Sequence, residues 1–283
     1  MSLSVLQARF IDGTLLVFDT ASGRCLAGAG ANHYRPWLFP LYTPRGQIVL
    51  REFPFDHPFH NGCFVAQHPV HAGARSANFW AAPPPRNAQD ELFADVGRIA
   101  TAPDMRAEPQ GKGVRVTLQC VWRDADDRPV LDEARSFEFA LAGDAVLCDV
   151  TSRKLAAYGP LEFPATKFGG IGVRIDPRLL PGAGGSVLAD DGRRGDASIV
   201  HDRPSRFVAC EGTADGTARF GLCLIGRDRA LPWFVRDYGL ALLNPTWRKG
   251  IALGAGECWE MTLRLIAYDG ALDARRADGW ASF

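Results

Sequence analysis

The chain has 283 residues, and its 32 Lys and Arg balance its 32 Asp and Glu, so the formal net charge is zero. A neutral chain gives no support for binding nucleic acid or an anionic membrane through a global field, and we expect neither as a partner. The 23% charged and 47% hydrophobic residues are typical of a soluble globular protein. No segment approaches the ~18 consecutive apolar residues of a membrane span.

The N-terminal segment and the cysteines predict a cytoplasmic protein. The first ten residues show no basic region followed by an apolar run, so we expect no secretory signal. The seven cysteines are odd in number, widely spaced and never in a C-x-x-C pair. This usage argues against a disulfide framework and against a thiolate zinc site, and it favours buried free thiols in a reducing compartment.

The first informative segment, residues 35–46, contains three prolines with aromatic residues between them. Proline restricts the backbone, so the segment is stiff. It either forms the wall of a pocket or packs at an edge of the domain, and the residues alone favour neither interpretation. A short apolar stretch that includes Arg51 follows it.

Residues 56–62 concentrate titratable groups, because Asp56, His57 and His60 fall within seven positions. A proline and a glycine favour an ordered loop, where functional side chains are common. Asp56 could fix the tautomer of a neighbouring histidine or cap a turn. The histidine spacing could serve a metal, but no third ligand is evident nearby. We therefore prefer a catalytic or substrate-binding role, and a structural role competes with it.

Residues 81–92, rich in proline and polar residues, predict a long loop that serves either as a lid or as a mobile surface connection. Three runs with a period of two then follow, at residues 114–120, 136–141 and 145–150. Short polar turns join them. The pattern is typical of an antiparallel meander of half-buried strands.

Glu162, Lys167 and Arg174 surround a double glycine, Gly169-Gly170. Two glycines allow the backbone to approach a ligand closely or to form a bulge. Lys167 could direct a positive charge at a polar ligand, and Glu162 is the nearest carboxylate that could act as a base. Arg174 alternates with apolar neighbours, so we expect it to face away from the core.

Residues 179–196 predict a second long loop, with the same two interpretations as the first. Farther along, aromatic residues flank Arg236 and Asp237, and Asn244 follows. Aromatic rings stack on apolar sugar faces while charged groups hold hydroxyls, so this cluster suits a sugar site. A buried Arg-Asp pair that holds the end of a strand is the alternative.

The C-terminal run at residues 259–267 alternates as a strand, and residues 271–278 are the best helical candidate. With 30 Gly and 19 Pro, long helices are not expected. Neither long loop separates regions of different composition. We predict a single domain over residues 1–283, all-β and mostly antiparallel, with two large stacked sheets and little helix.

Taken in order, these segments resemble a bacterial family known as "methane oxygenase PmoA". The resemblance rests on Arg35-Pro36 to Gly46, Asp56-His57-Pro58-x-His60-x-Gly62, Asn78-Phe79-Trp80, Thr166-Lys167-x-Gly169-Gly170, Arg236-Asp237-Tyr238-Gly239, Asn244-Pro245 and Gly254-x-Gly256-Glu257. It implies a β-supersandwich of the galactose-mutarotase type and carbohydrate-related chemistry. The family loop usually has His and Arg where this chain has Phe59 and Asn61, which implies a different substrate or a weakened activity. The family's name is not taken literally, since the chain shows no span and no convincing metal cluster.

The preferred function is an enzyme that performs acid-base elimination, hydrolysis or epimerisation on a sugar or sugar-like ring. His57 would be the main acid/base, with His60 as its partner or as a substrate ligand, and Lys167 would stabilise developing negative charge. The candidate catalytic residues are His57, His60, Lys167 and Glu162. The candidate substrate-binding residues are Asp56, Arg51, Trp80, Arg236, Asp237, Tyr238 and Asn244. We expect His57, His60, Lys167 and Arg236 to line one concave pocket.

We expect no organic cofactor, because no Gly-rich phosphate fingerprint follows a strand and opens a helix. The expected partner is a small carbohydrate-like molecule. Two alternatives stay open: a non-catalytic carbohydrate-binding protein on the same scaffold, and a metal-dependent hydrolase that uses His57, His60 and another histidine.

Overall fold

A computed structural model describes residues 5–81, 95–101, 105–228 and 231–282. Within these ranges the chain is all-β, with antiparallel pairing between the strands and one short α-helix, α1 (Ala274–Gly279). The predicted fold class is therefore confirmed. None of the helices in these ranges is long and apolar enough to cross a membrane.

One large sheet has eight strands and will carry the candidate site. In spatial order they are β1 (Leu6–Ile11), β2 (Thr14–Asp19), β3 (Cys25–Ala31), β4 (Pro36–Leu41), β5 (Cys63–Gln67), β14 (Gly169–Arg174), β20 (Leu240–Leu243) and β19 (Trp233–Arg236). The stiff proline-rich segment thus supplies a strand in the interior of this sheet. Leu38 and Leu41 of β4 are fully buried, while Trp37 points to the other face and lines a pocket, so the segment contributes to a pocket wall and packs inside the sheet, not at an edge.

The other large sheet has ten strands among the residues that the structure describes. Nine follow one path: β16 (Arg194–Gly195), β15 (Ser186–Ala189), β17 (Val208–Ala214), β18 (Ala218–Gly226), β22 (Cys258–Asp269), β12 (Ala145–Leu155), β11 (Pro129–Ala142), β10 (Gly113–Arg123) and β8 (Arg98–Thr101). The tenth, β9 (Arg106–Gln110), also pairs with β10. The predicted meander is confirmed as β10, β11 and β12, each longer than its alternating run.

A small third sheet contains four strands, β21 (Ile251–Leu253), β13 (Leu161–Phe163), β6 (Val70–Ala72) and β7 (Arg75–Ala77). A continuous apolar core joins the sheets, with Val65 and Val173 of the eight-stranded sheet and Phe137 and Val150 of the ten-stranded sheet in one cluster. Strand alternation explains this placement, because every second residue of each strand points to the same face. All seven cysteines are free, and five of them are buried.

The sequence interpretation of residues 179–196 is wrong in part. Two single-turn 3-10 helices begin the segment, and then β15 and β16 pair with each other at one edge of the ten-stranded sheet. The alternation was too short to recognise: in β15 Val187 and Ala189 belong to one apolar cluster and Leu188 between them belongs to another. The other predicted loop, residues 81–92, lies almost entirely outside the described residues.

Charged residues lie inside the sandwich at one end of β11 and β12. The Arg135 guanidinium donates two hydrogen bonds to the Glu133 carboxylate, at 2.9 and 2.7 Å, and the Trp122 indole N–H donates to the same carboxylate at 2.7 Å. Lys154 faces Glu133 across the strands and donates to Ser152 at 3.0 Å. Burial raises the pKa of Glu133, but Arg135 outweighs burial and lowers it to about 2. Burial lowers the pKa of Lys154 to about 8.

We expect Lys154→Met to remove a rise in stability at alkaline pH. Between pH 8 and the ordinary lysine value of 10.5, the folded protein has released the Lys154 proton while the unfolded chain still holds it. Stability rises with pH wherever the unfolded state binds more protons. Urea unfolding at several pH values gives the free energy of unfolding of wild type and variant. Both proteins contain the same cysteines, so the effect of cysteine ionisation cancels in the difference between the two free energies. If this difference stays constant between pH 8 and 10.5, the pKa of Lys154 is not lowered by burial.

Candidate active site

The candidate site lies on the face of the eight-stranded sheet that points away from the core. Since Val65 and Val173 face the core, their neighbours Phe64 and Arg174 project to the opposite side. Gly172 faces Phe64 across the strands, and a Cβ there would lie 2.5 Å from the Phe64 ring. We call this surface the aromatic face; its side chains are Phe59, Phe64, Ala66, Trp80, Phe168, Phe234, Leu240, Leu242 and Trp247.

Main-chain hydrogen bonds hold the loop of residues 56–62 against this face. The Arg51 N–H donates to the Arg174 carbonyl at 2.9 Å, and the Gly62 N–H donates to the Arg51 carbonyl at 3.0 Å. Inside the loop, the His60 N–H donates to the His57 carbonyl at 2.9 Å and closes a tight turn. These bonds fold the loop back on itself, so that His57 and His60 come close together.

Four rings form a column that we call the ring stack. The His57 and His60 centroids are 5.0 Å apart with planes inclined by 4°. Below His60 lies Phe64 at 4.8 Å and 9°, and above His57 lies Tyr238 at 5.6 Å and 14°. The stack joins the loop to β5 and to the turn after β19, two parts of the chain far apart in sequence. It therefore holds the His57 ring in one orientation.

A chain of hydrogen bonds runs from Arg174 through Asp56 to His57. The fully buried Arg174 guanidinium donates to both oxygens of Asp56, at 2.7 and 3.0 Å, and its carbon lies 5.0 Å from the Tyr238 ring centroid. The other partner of Asp56 is His57 Nδ1, at 2.7 Å. The sequence alternative in which Asp56 orients a neighbouring histidine thus agrees with the geometry.

The charge of Asp56 determines the tautomer of His57. Partial burial raises the pKa of Asp56, but hydrogen bonds from Arg174 and His57 and the Arg174 charge outweigh burial and hold the pKa well below its usual range. An ionised carboxylate can only accept hydrogen bonds, so Nδ1 of His57 carries a hydrogen. In the neutral ring Nε2 then has a free lone pair, and none of the described residues hydrogen-bonds to it. This arrangement makes His57 Nε2 a proton acceptor.

His60 differs from His57 in its surroundings. Its side chain is 1% exposed, and neither ring nitrogen has a hydrogen-bond partner among the described residues. Burial lowers the pKa of His60 well below its ordinary value, and the His57, Arg174 and Arg35 charges act in the same direction. His60 is therefore neutral near pH 7 and poorly suited to the acid/base role expected of it. The role of a substrate ligand remains open to it.

We expect His60→Phe to stabilise the protein by about 1–3 kcal/mol, the usual cost of unsatisfied buried polar groups. A phenyl ring can stack between Phe64 and His57 in the same way, without unpaired nitrogens. Below pH 6.5 the unfolded chain protonates His60 while the folded protein does not, so wild type should lose stability there that the variant keeps. Denaturant titrations at pH 5 and 7, with exposed His33→Phe as control, measure both effects. Lower stability of the His60 variant at pH 7 would show that the nitrogens are satisfied.

Two more predicted residues lie on or beside the aromatic face. Arg174, Leu240 and Arg236 oppose one another across neighbouring strands, so Arg236 lies on the same face about 10 Å from Arg174. Its guanidinium lies 4.5 Å from the Phe234 ring centroid. Lys167 lies at the edge of the face with its ammonium 5.0 Å from the Phe168 ring centroid, and Phe168 in turn contacts Trp80. Lys167 is thus separated from His57 by several rings.

Other predicted substrate ligands have structural hydrogen bonds. Asp237 accepts from the Ala197 N–H at 2.7 Å, so it holds a neighbouring loop and does not pair with Arg236. Asn244 donates to the Thr166 carbonyl and accepts from Thr246, both at 2.8 Å. These side chains position the loops around the face, because hydrogen bonds within the protein engage both the nitrogen and the oxygen of the Asn244 amide and one carboxylate oxygen of Asp237.

Trp80 and the double glycine have structural roles, and Glu162 lies outside the candidate site. Trp80 is almost fully buried, with its ring 4.8 Å from His60, so it supports the ring stack from the side. Glu162 is exposed on β13, opposite His71 in the small sheet, and no described contact connects it to the loop. A Cβ on Gly169 would meet the Gln67 side chain at 2.2 Å, and Gly170 has φ +95°. The double glycine therefore accommodates the protein's own chain.

The sequence did not point to Phe64 of the aromatic face or to His201, which contacts this face. Phe64, at the base of the ring stack, could have been found from its alternation with Val65. His201 stacks on Trp247 at 5.4 Å and accepts from the Val235 N–H at 3.3 Å, and no local pattern marks it. Among the described residues no group of three or more His, Cys, Asp or Glu is arranged to hold a metal ion.

Comparisons with known proteins give one family and distant structural similarities. A model described as "Family of unknown function (DUF6807)" matches residues 18–282. No curated protein matches the chain. A galactose mutarotase-like protein from Lactobacillus casei ATCC 334 has a similar fold, with 7% identity, a TM-score of 0.40, and coverage of 93% of this chain and 100% of that one.

A second solved structure, the polysaccharide lyase BACCELL_00875, has 12% identity and a TM-score of 0.38. The match covers 98% of this chain but 34% of the lyase, so the chain spans about a third of that protein. At such identities and TM-scores the likeness transfers no role to any residue.

Proposed function

We propose that this chain, which belongs to the DUF6807 family of unknown function, is an enzyme. It would act by acid-base chemistry on a sugar or sugar-like ring, with His57 as the proton-transfer group. The observation that carries the proposal is the hydrogen-bonded chain from Arg174 through Asp56 to His57. It leaves Nε2 as a base of fixed orientation at the edge of an aromatic face. A general base must lie within hydrogen-bond reach of the proton that it removes, and a fixed orientation favours that geometry.

The exposed side chains around His57 support a carbohydrate substrate. Phe55 is 93% exposed and Phe53 is 50% exposed, and both lie just before the loop; Tyr238, in the ring stack, is 41% exposed. Large apolar side chains exposed together mark binding sites, and aromatic rings pack against the apolar faces of sugars. Arg236, on the same face, would hold a hydroxyl or an acidic group of the substrate, and Lys167 would act at the edge.

Among the reactions expected from the sequence, proton abstraction fits the site best. Glycoside hydrolysis usually needs two carboxylates that flank the bond. Asp56 is the carboxylate at His57, and both of its oxygens are engaged by Arg174. Elimination or epimerisation at an oxygen-bearing carbon requires a base such as His57 Nε2. The resemblance to the "methane oxygenase PmoA" family stays a prediction, as do a small-molecule substrate and a cytoplasmic location.

A carbohydrate-binding protein without turnover is the second candidate. The unpartnered nitrogens of His60 favour it, because buried polar atoms beneath exposed rings would serve a ligand whether or not it reacts. The two candidates differ in what His57 does, since only the enzyme needs a proton acceptor there.

Purified wild-type protein and His57→Asn should be screened against neutral glycosides, uronates and oxidised glycosides, with binding and turnover measured on the same preparations. Turnover by wild type that His57→Asn lacks, with binding retained, supports the enzyme. Binding without turnover in both proteins supports the second candidate. If neither protein binds or converts any sugar, the carbohydrate assignment is wrong.

A further inference from the structure

A separate pocket of about 230 Å³ lies beside the candidate site and shares the Phe59 side chain with it. The Phe59 ring centroid is 5.6 Å from that of His57, and Phe59 also forms part of the pocket lining. Trp37, Tyr34 and Phe53 form further walls. A ligand in this pocket would therefore lie next to the proton-transfer group and against aromatic rings.

Arg35 is the only charged side chain among the described residues that line the pocket. It is 4% exposed. Its Nη2 donates to the Trp80 and Ala81 carbonyls at 2.8 and 2.9 Å, while its buried Nη1 has no partner in the described part of the chain. A buried guanidinium normally has an anionic partner, because an unpaired buried charge is costly. One nitrogen of a cation is thus available to a ligand.

Asn61 lines the same pocket and has no partner for its amide. It is 3% exposed, and neither Oδ1 nor Nδ2 forms a hydrogen bond with the described residues. A buried amide would usually have both atoms satisfied, and each atom left unpaired destabilises the fold. Arg35 and Asn61 thus both line this pocket with buried polar atoms that have no hydrogen-bond partner among the described residues. Such a pair indicates a ligand with several hydrogen-bonding oxygens.

We infer that this pocket binds the carboxylate of a sugar acid, with one carboxylate oxygen accepting from Arg35 Nη1 and the other from Asn61 Nδ2. The inference rests on the proposed function and specifies its substrate class. A single cation matches a single negative charge, whereas a phosphate dianion would leave charge uncompensated in a buried site. The aromatic walls suit the apolar face of the ring that carries the carboxylate.

The charge state of Arg35 agrees with this ligand. Burial lowers the pKa of Arg35 to about 9, and the nearby Arg135 charge adds to the effect. The guanidinium is therefore still cationic at pH 7, and a carboxylate bound to it would favour the charged form.

The test compares the binding of D-glucuronate, D-glucose, acetate and inorganic phosphate by calorimetry at pH 7. The proteins are wild type, Asn61→Leu, Asn61→Asp and His57→Asn. Asn61→Leu keeps the size of the side chain without its amide, and Asn61→Asp places a repelling charge beside the carboxylate. We leave Arg35 unchanged because it also holds two buried carbonyls. Melting temperatures confirm that each variant folds.

We expect wild type and His57→Asn to bind glucuronate more tightly than glucose, and both Asn61 variants to lose ~10–100-fold in affinity for glucuronate. Equal affinity of wild type for glucuronate and glucose would overturn the inference, as would tighter binding of phosphate or of acetate. Glucuronate affinity unchanged in both Asn61 variants would overturn it as well. Retained glucuronate binding in a wild type that turns over no sugar would count against the proposed catalysis alone.

Discussion

Replacing His57 by Asn is expected to lower kcat about 10²–10⁴-fold, the usual contribution of a positioned proton-transfer group. Asn keeps a polar side chain that can still donate to Asp56, but it cannot take up a proton. The His57 side chain is partly exposed, so its removal should change the melting temperature little. His57→Ala should be similarly inactive. Steady-state kinetics and thermal unfolding of the same preparations measure both quantities.

A histidine with only a structural role would behave in the opposite way. The variants would lose stability, while turnover per folded molecule would remain. Asp56→Asn provides a second readout. An amide at this position no longer requires a hydrogen on His57 Nδ1, so the hydrogen can move to Nε2. His57 is then still present but cannot accept a proton at Nε2, and kcat should fall. Intact turnover in either His57 variant would exclude the catalytic role.

Removing the buried Glu133 carboxylate is expected to destabilise the protein by about 3–5 kcal/mol. Glu133→Ala leaves Arg135 without its carboxylate and Lys154 without its nearest opposite charge, and all three side chains are fully buried. It also leaves the Trp122 indole N–H without its acceptor. An effect of this size is a large fraction of the stability of an ordinary domain.

Glu138→Ala on the same strand is the matched control. Glu138 forms a partly exposed ion pair with Arg115 at 3.4 Å, and such surface pairs contribute about 0–1 kcal/mol. Urea unfolding of the two variants should therefore separate them by several kcal/mol. Similar losses of unfolding free energy in both variants would mean that Lys154 and Arg135 become neutral or reach water when Glu133 is removed.

The sequence predicted the fold class well because period-two alternation is a local signal. The meander of β10, β11 and β12 could be read directly, since inward and outward residues alternate over long strands. Short strands such as β15 and β16 carry too few residues for a period to be visible. Their pairing depends on neighbours elsewhere in the chain, which no local pattern records.

The candidate site was predicted where its residues are adjacent in sequence, as for Asp56 and His57. Arg174 was expected to face away from the core, but its partnership with Asp56 joins residues 118 positions apart. The roles expected of Asp237 and Asn244 depended on their side chains being available. Whether a polar side chain is free or already bonded to the backbone is determined by tertiary contacts, so sequence alone could not resolve it.

The ring stack has a stereochemical consequence for any reaction at His57. Because Tyr238 and His60 both stack on the imidazole and Asp56 holds Nδ1, Nε2 is the nitrogen through which protons enter and leave. A single fixed base returns a proton to the same side of a carbon from which it was removed. Inversion of configuration would need a second group on the far side of the substrate. Elimination forms a double bond and does not return a proton to the carbon. The rigid ring stack therefore suits elimination, whose product has lost a stereocentre.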